Sequence, residues 1–180
     1  SHLTPKFKEE LFIAINQLEQ ETNKKFGSGK KPLLLSVRSG AKVSMPGMMD
    51  TILNLGMNDD VAKALVAETN NPRFAYDSYR RFLEMYGSVV SGIASYLFEE
   101  SFEDHKIRNN IENDSEITPE ILQEIIIAYK AIILKYTGRE FESDPYTQLQ
   151  CAIEAVLASW MCPRAITYRK INNHNGKNEY

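Results

Sequence analysis

Leu33-Leu34-Leu35-Ser36-Val37-Arg38-Ser39-Gly40-Ala41-Lys42-Val43-Ser44-Met45-Pro46-Gly47-Met48-Met49-Asp50 runs from an apolar cluster into a stretch with no period. The first five residues are bounded by turn formers, Gly27, Gly29 and Pro32 before and Ser39-Gly40 after. A short apolar run between such signals predicts a buried strand. Residues 39 to 49 are rich in Gly, Ser and Met and predict a loop, and residues 51 to 55 predict a second short strand. A cationic residue at a strand end, followed by a glycine- and hydroxyl-bearing loop, suits a phosphate chain. Glycine lets backbone N–H groups approach phosphate oxygens, and serine hydroxyls add donors. Arg38 offers a planar fork of donors to an oxygen pair. The spacing is not the GxxxxGK[ST] of a P-loop. On spacing alone, a surface loop with an incidental arginine stands beside the phosphate reading.

Outward from this stretch the chain reads as helices. Thr4-Pro5 predicts an N-cap and first helical position, after which Phe7, Leu11, Ala14, Ile15 and Leu18 share a face. Asn58, Asn71, Thr118 and Asp144 each read as an N-cap, and Pro72, Pro119 and Pro145 directly follow three of them. The helix after Asn71 carries Ala75, Tyr79, Phe82, Leu83 and Tyr86 on one side. The helix after Thr118 carries Ile121, Leu122, Ile125, Tyr129, Ile132 and Ile133, and Gly138 ends it. The helix after Asp144 carries Leu149, Ala152, Ile153, Val156, Leu157 and Trp160, with Pro163 beyond it. Residues 101 to 116 are charged and aperiodic and predict a mobile surface connection. Residues 164 to 171 predict a further short helix, and 172 to 180 a polar, frayed tail.

The fold class read from this pattern is α+β, mainly helical. Residues 1–57 have α/β character, 58–145 form an all-helical part, and 146–180 hold returning helices and the polar tail. A few strands in a mainly helical chain make a poor sheet, so either the remaining strands lie elsewhere or the sheet is very small, and the expectation is a fragment. Ser1-His2 read as the scar of a cleaved tag.

The 180 residues are 43% hydrophobic and 25% charged, enough for a core in one domain or a domain with a subdomain. A net charge of -3 argues against a general nucleic-acid binder. No apolar run reaches the length of a membrane span. Cys151 and Cys162 form neither a CxxC nor a Cys/His cluster and read as reduced, packed thiols. Tyr76, Tyr79, Arg80 and Arg81 read as packing at helical spacing. Glu99, Glu100, Glu103 and Asp104 read as a solvated helix end, so no metal site is expected in this chain.

The run SVRSGA followed by SMPGMMDTILNLG (36–41 and 44–56) resembles the signature of pyruvate, phosphate dikinases. The similarity continues through 58–60, 71–82, 136–141, 152–156, Ser159-Trp160 and 163–166, so it covers nearly the whole chain. Phosphoenolpyruvate synthases share the arginine-bearing strand end but not the second run. The resemblance implies a partial ATP-grasp fold with an inserted all-helical subdomain, at the front of a large enzyme. That family converts ATP, phosphate and pyruvate to AMP, pyrophosphate and phosphoenolpyruvate through a histidine on a separate swivelling domain. It uses Mg²⁺ and a monovalent cation, and usually forms homodimers. The implied partners are ATP and the remaining domains of the parent enzyme, with no nucleic acid and no membrane. The implied location is cytoplasmic, with an organelle left open for the parent.

By the same resemblance, Arg38 matches the arginine that binds ATP phosphate and aids phosphoryl transfer. Ser39, Gly40, Gly47, Met48, Met49 and Asp50 match the loop that closes over the nucleotide. Plainer readings stand beside these: Arg38 as an ion pair fixing the loop, the methionines as packing, Asp50 as an N-cap or turn former. Lys42 sits where arginine is common in the family. The family's ATP-binding lysine and Mg²⁺-holding residues have no counterpart between Leu3 and Tyr180. The carrier histidine and pyruvate-site cysteine belong to other domains, so the fragment is expected to be inactive alone. A phosphoenolpyruvate synthase-like enzyme and a non-catalytic helical interaction module are the alternatives.

Overall fold

Five of the helices begin where a short polar side chain can accept an otherwise unpaired backbone N–H. Thr4, Asn58, Asn71, Thr118 and Asp144 accept from Phe7, Val61, Phe74, Ile121 and Thr147 at 2.9–3.3 Å. Proline follows Thr4, Asn71, Thr118 and Asp144, where its missing N–H costs nothing. Each such cap is worth about 1 kcal/mol. The resulting elements, in the computed structural model, which describes residues 3–38, 51–160 and Ile171, are α1 (Pro5–Thr22), β1 (Lys25–Phe26), β2 (Pro32–Leu33), β3 (Leu35–Val37), β4 (Ile52–Leu55), α2 (Asp59–Thr69), α3 (Pro72–Val89), α4 (Ser95–Arg108), a 3-10 turn (Asp114–Glu116), α5 (Pro119–Thr137) and α6 (Pro145–Trp160). The molecule is mainly helical, as the sequence predicts.

α3 is the central helix, packed on α2, α4, α5, α6 and β4. Ala75, Tyr79, Phe82, Leu83 and Tyr86 are all buried along it, as their spacing predicts. Tyr79, Tyr129, Phe82 and Phe98 are among the largest fully buried side chains. Burial of a side chain of this size contributes about 1.5–3 kcal/mol. Phe141, just after α5, sets its ring against Tyr79, Phe82 and Tyr86 and ties the α5–α6 connection to α3. No described helix is long and apolar enough to cross a membrane.

Several expectations are corrected. The single buried strand over 33–37 is two strands that separate at Leu34. β2 pairs in parallel with β1, and β3 pairs antiparallel with β4. Leu33, Leu34, Leu35 and Val37 are half-buried and Ser36 is exposed. The run is apolar because each short strand covers one face, not because one strand is buried on both.

Residues 101–116 are not a mobile connection. They continue α4 to Arg108, with Phe98, Phe102 and His105 turned inward at helical spacing. Phe98 meets the Tyr129 ring edge-on at 5.0 Å, and Phe102 lies under Arg80. Beyond α4, Arg73 donates to the Asp114 and Ile117 carbonyls at 2.7 and 3.2 Å, and Lys106 pairs with Asp114 at 2.8 Å. So many charges surround this narrow apolar stripe that the period is hidden in the sequence. It follows that Glu99, Glu100, Glu103 and Asp104 lie along the exposed middle of α4 rather than at a helix end.

The apolar stripe of α1 is mostly uncovered: Ile15 is buried, but Phe7 and Leu18 are exposed. On α6, Leu149, Ala152 and Val156 are buried while Leu157 is exposed. Trp160's side chain, Cys162, the tail and, apart from Ile171, the helix predicted over 164–171 lie outside the described residues.

Candidate phosphate-binding strand end

Val37 pairs with Ile52 and Leu35 with Leu55, with an irregularity between the two pairs. β3 therefore ends, and β4 begins, at the same end of one antiparallel strand pair. Arg38 immediately follows β3 at that end and is exposed. Among the described residues it has no ion pair or hydrogen bond, so the plainer role, an ion pair fixing the loop, finds no partner there. A guanidinium on a paired strand end is anchored at its backbone, and no described side chain holds its head. That is an arrangement able to meet an incoming oxygen pair. Ser39, Gly40, Gly47, Met48, Met49, Asp50 and Lys42 lie outside the described residues.

Among the described residues no group of three or more His, Cys, Asp or Glu side chains is placed to hold a metal ion.

A second constellation escaped the sequence reading. The Asp59 carboxylate accepts from Tyr79 Oη at 2.7 Å and Lys130 Nζ at 2.6 Å, joining α2, α3 and α5. Lys130 also lies 5.1 Å over the Tyr79 ring. These groups line a hollow of about 540 Å³ with Asn58, Asp60, Glu140 and Ser143. Burial works to raise the Asp59 carboxyl, but the Lys130 and Tyr79 hydrogen bonds outweigh it and hold the group below its ordinary value. Burial and the neighbouring carboxylate keep the Tyr79 phenol neutral throughout the working pH range. Tyr79 reads as plain core from its spacing, and nothing in the sequence marks its hydroxyl as Asp59's donor.

The sign of the pH effect follows. The folded carboxyl titrates below the unfolded one, so its contribution is present above the unfolded value of about 3.9 and is lost as pH falls through the folded value. Asp59 is mostly exposed, so the contribution is below about 1 kcal/mol. Urea melts at pH 7 and pH 3 should show Asp59→Asn losing less stability on acidification than the parent sequence. An equal loss in both overturns the assignment.

Tyr76, Arg80 and Arg81 do not form a basic patch. Arg80 pairs with Asp77 at 2.9 Å and Glu84 at 3.7 Å, and only Arg81 is exposed. Cys151 is a free, half-buried thiol.

With this geometry in view, the sequence matches the family described as "Pyruvate phosphate dikinase, AMP/ATP-binding domain" over residues 2–180. It is 58% identical over 167 residues to the pyruvate, phosphate dikinase of Rickettsia bellii, covering 93% of this chain and 19% of that protein. It is 51% identical over 168 residues to the chloroplastic enzyme of Mesembryanthemum crystallinum, covering 93% of this chain and 18% of that protein. The Giardia intestinalis enzyme is 50% identical over 170 residues, covering 93% of this chain and 19% of that protein. The chain therefore spans about a fifth of these relatives. The signature around Arg38, the capped helices and this match over almost every residue place the chain in the pyruvate phosphate dikinase AMP/ATP-binding domain family.

Proposed function

We propose that this chain is the ATP-binding part of a pyruvate, phosphate dikinase, and that Arg38 holds ATP phosphate during the first half-reaction. The observation that carries the reading is an exposed arginine at the end of a paired strand, inside a sequence that matches the AMP/ATP-binding family throughout. The overall reaction is ATP, phosphate and pyruvate to AMP, pyrophosphate and phosphoenolpyruvate, through a phosphohistidine on another domain of the parent. Phosphoryl transfer needs positioning and charge stabilisation more than covalent help, and a guanidinium fork supplies both. Ser39, Gly40, Gly47, Met48, Met49 and Asp50 form the loop that meets the nucleotide.

The division that accompanies this function is a partial ATP-grasp portion at 1–57, a helical subdomain at 58–145 and a returning segment at 146–180. Mg²⁺ and the monovalent cation bind through other parts of the parent, which works as a homodimer in the cytoplasm or an organelle. Without those parts the chain has no activity of its own.

The test uses the full-length parent with ATP, pyruvate, Mg²⁺ and an ammonium salt, with and without inorganic phosphate. Phosphoenolpyruvate, AMP and pyrophosphate should appear together only when phosphate is supplied. Phosphoenolpyruvate formed without added phosphate would favour a synthase instead. No product under either condition would favour a non-catalytic helical module.

A further inference from the structure

The strands and the helices meet at one crossing. The chain leaves β4 through Gly56 and Met57 into α2, and comes back through 138–144 into α6. The two passages run side by side, with Asn58 Nδ2 donating to the Ser143 carbonyl at 3.0 Å. Between them lies Gln148, in the first turn of α6, with no solvent exposure. Its Oε1 accepts the Gly56 N–H at 2.9 Å. Its Nε2 donates to the Met57 carbonyl at 2.9 Å and the Glu142 carbonyl at 2.7 Å.

One neutral side chain thus satisfies an amide and two carbonyls on both passages. Only a carboxamide has acceptor and paired donors in one planar head. An apolar residue here would leave two buried backbone groups, at Gly56 and Met57, and the part-buried Glu142 carbonyl without this partner, and each unmet buried group is destabilising. Gly56 directly follows Leu55, which pairs with Leu35 of β3. Val37 of β3 pairs with Ile52, and Arg38 comes next. α6 itself lies against both β3 and β4. Gln148 therefore holds the β3–β4 pair at the end away from Arg38, and reaches the Arg38 end along the pair and through the packing of α6 on both strands.

We infer that Gln148 is a positioning residue for the ATP half-reaction, fixing the end of β4 and, through the β3–β4 pair, the placement of Arg38. The inference rests on the role given to Arg38 above. Gln148 acts through backbone and does not touch the nucleotide. Its leverage is geometric: a displacement of about 1 Å at a reacting group can lower a rate about 100-fold.

The test is made in the full-length parent with Gln148→Met, which keeps length and bulk but removes the amide. The ATP half-reaction, read as phosphohistidine formed from ATP and phosphate, should slow about 10- to 100-fold. The KM for ATP should change by less than about threefold, because the interaction lost acts on turnover rather than on ground-state binding. Phosphoryl exchange between the carrier and pyruvate should stay at the parent rate. Side chains that act through one another are not additive. Arg38→Ala combined with Gln148→Met should therefore be no slower than Arg38→Ala alone. If Gln148→Met fails to fold by circular dichroism, Gln148→Glu serves in its place. It keeps the acceptor for Gly56 and loses the amide donors, and the same pattern is expected.

A folded Gln148 variant with a normal ATP half-reaction overturns the inference, as does a double variant in which the two effects multiply. If Arg38→Ala is slow while Gln148→Met is normal, the positioning role alone fails. If Arg38→Ala leaves the ATP half-reaction unchanged, the phosphate-holding role fails and the inference with it.

Discussion

Arg38→Ala in the parent enzyme should slow phosphohistidine formation from ATP about 100- to 1,000-fold, the usual loss when one preorganised donor to a developing charge is removed. Exchange between the carrier histidine and pyruvate should be untouched, since the proposed function assigns that chemistry to another domain. Arg38→Lys should fall between the two. It keeps the charge but replaces a planar fork by a point donor, so bidentate holding is lost. Rapid-quench measurement of the two half-reactions separates these outcomes. Equal loss in both would show a folding defect in place of a lost phosphate contact. The structural ground is that Arg38 is exposed and pairs with no described carboxylate, so its removal should disturb little else.

Gly27→Ala should destabilise the fold by about 2–5 kcal/mol, combining the cost of a left-handed residue with that of forced overlap. Gly27 has φ +63°, and a Cβ there would overlap Pro145 Cγ and lie 2.5 Å from Pro145 Cβ and 3.1 Å from the Gly56 carbonyl oxygen. Pro145 opens α6 and its ring is rigid, so it cannot swing away as a long side chain would. Gly138 supplies the control. Its φ is +71° with nothing within 4 Å of an added Cβ, so Gly138→Ala should cost only about 1–2 kcal/mol. Thermal melts should place Gly27→Ala about 5–15 °C below the parent sequence. If the two glycine variants melt together, Pro145 moves aside freely and the crossing is looser than its distances imply.

What was legible beforehand follows from how local each signal is. An N-cap with proline after it is a statement about three or four neighbouring residues, so Asn71-Pro72, Thr118-Pro119 and Asp144-Pro145 marked their helices correctly. The α3 stripe was readable because five large or small apolar residues repeat on one face. α4 was not, because its inward residues are so few among its charges. Nor was the break at Leu34: an apolar run says that residues are covered, but not by how many strands or from which side. Arg38 was singled out by its neighbours in sequence, and the structure adds its exposure at a strand end. Gln148 had no local signal at all. Its partners Gly56 and Met57 lie more than ninety positions away, and a lone glutamine early in a helix usually faces solvent.

The crossing pinned by Gln148 also orders events in time. The helices α2 to α5 pack mainly on one another and are complete in sequence by Thr137, before residue 148 has been added to a growing chain. Their shared core can therefore condense while the chain is still being made. Only afterwards does α6 arrive to bond across 92 residues to Gly56 and close the strands onto the finished helices. The longest-range polar clasp described here is thus also the one that synthesis supplies last.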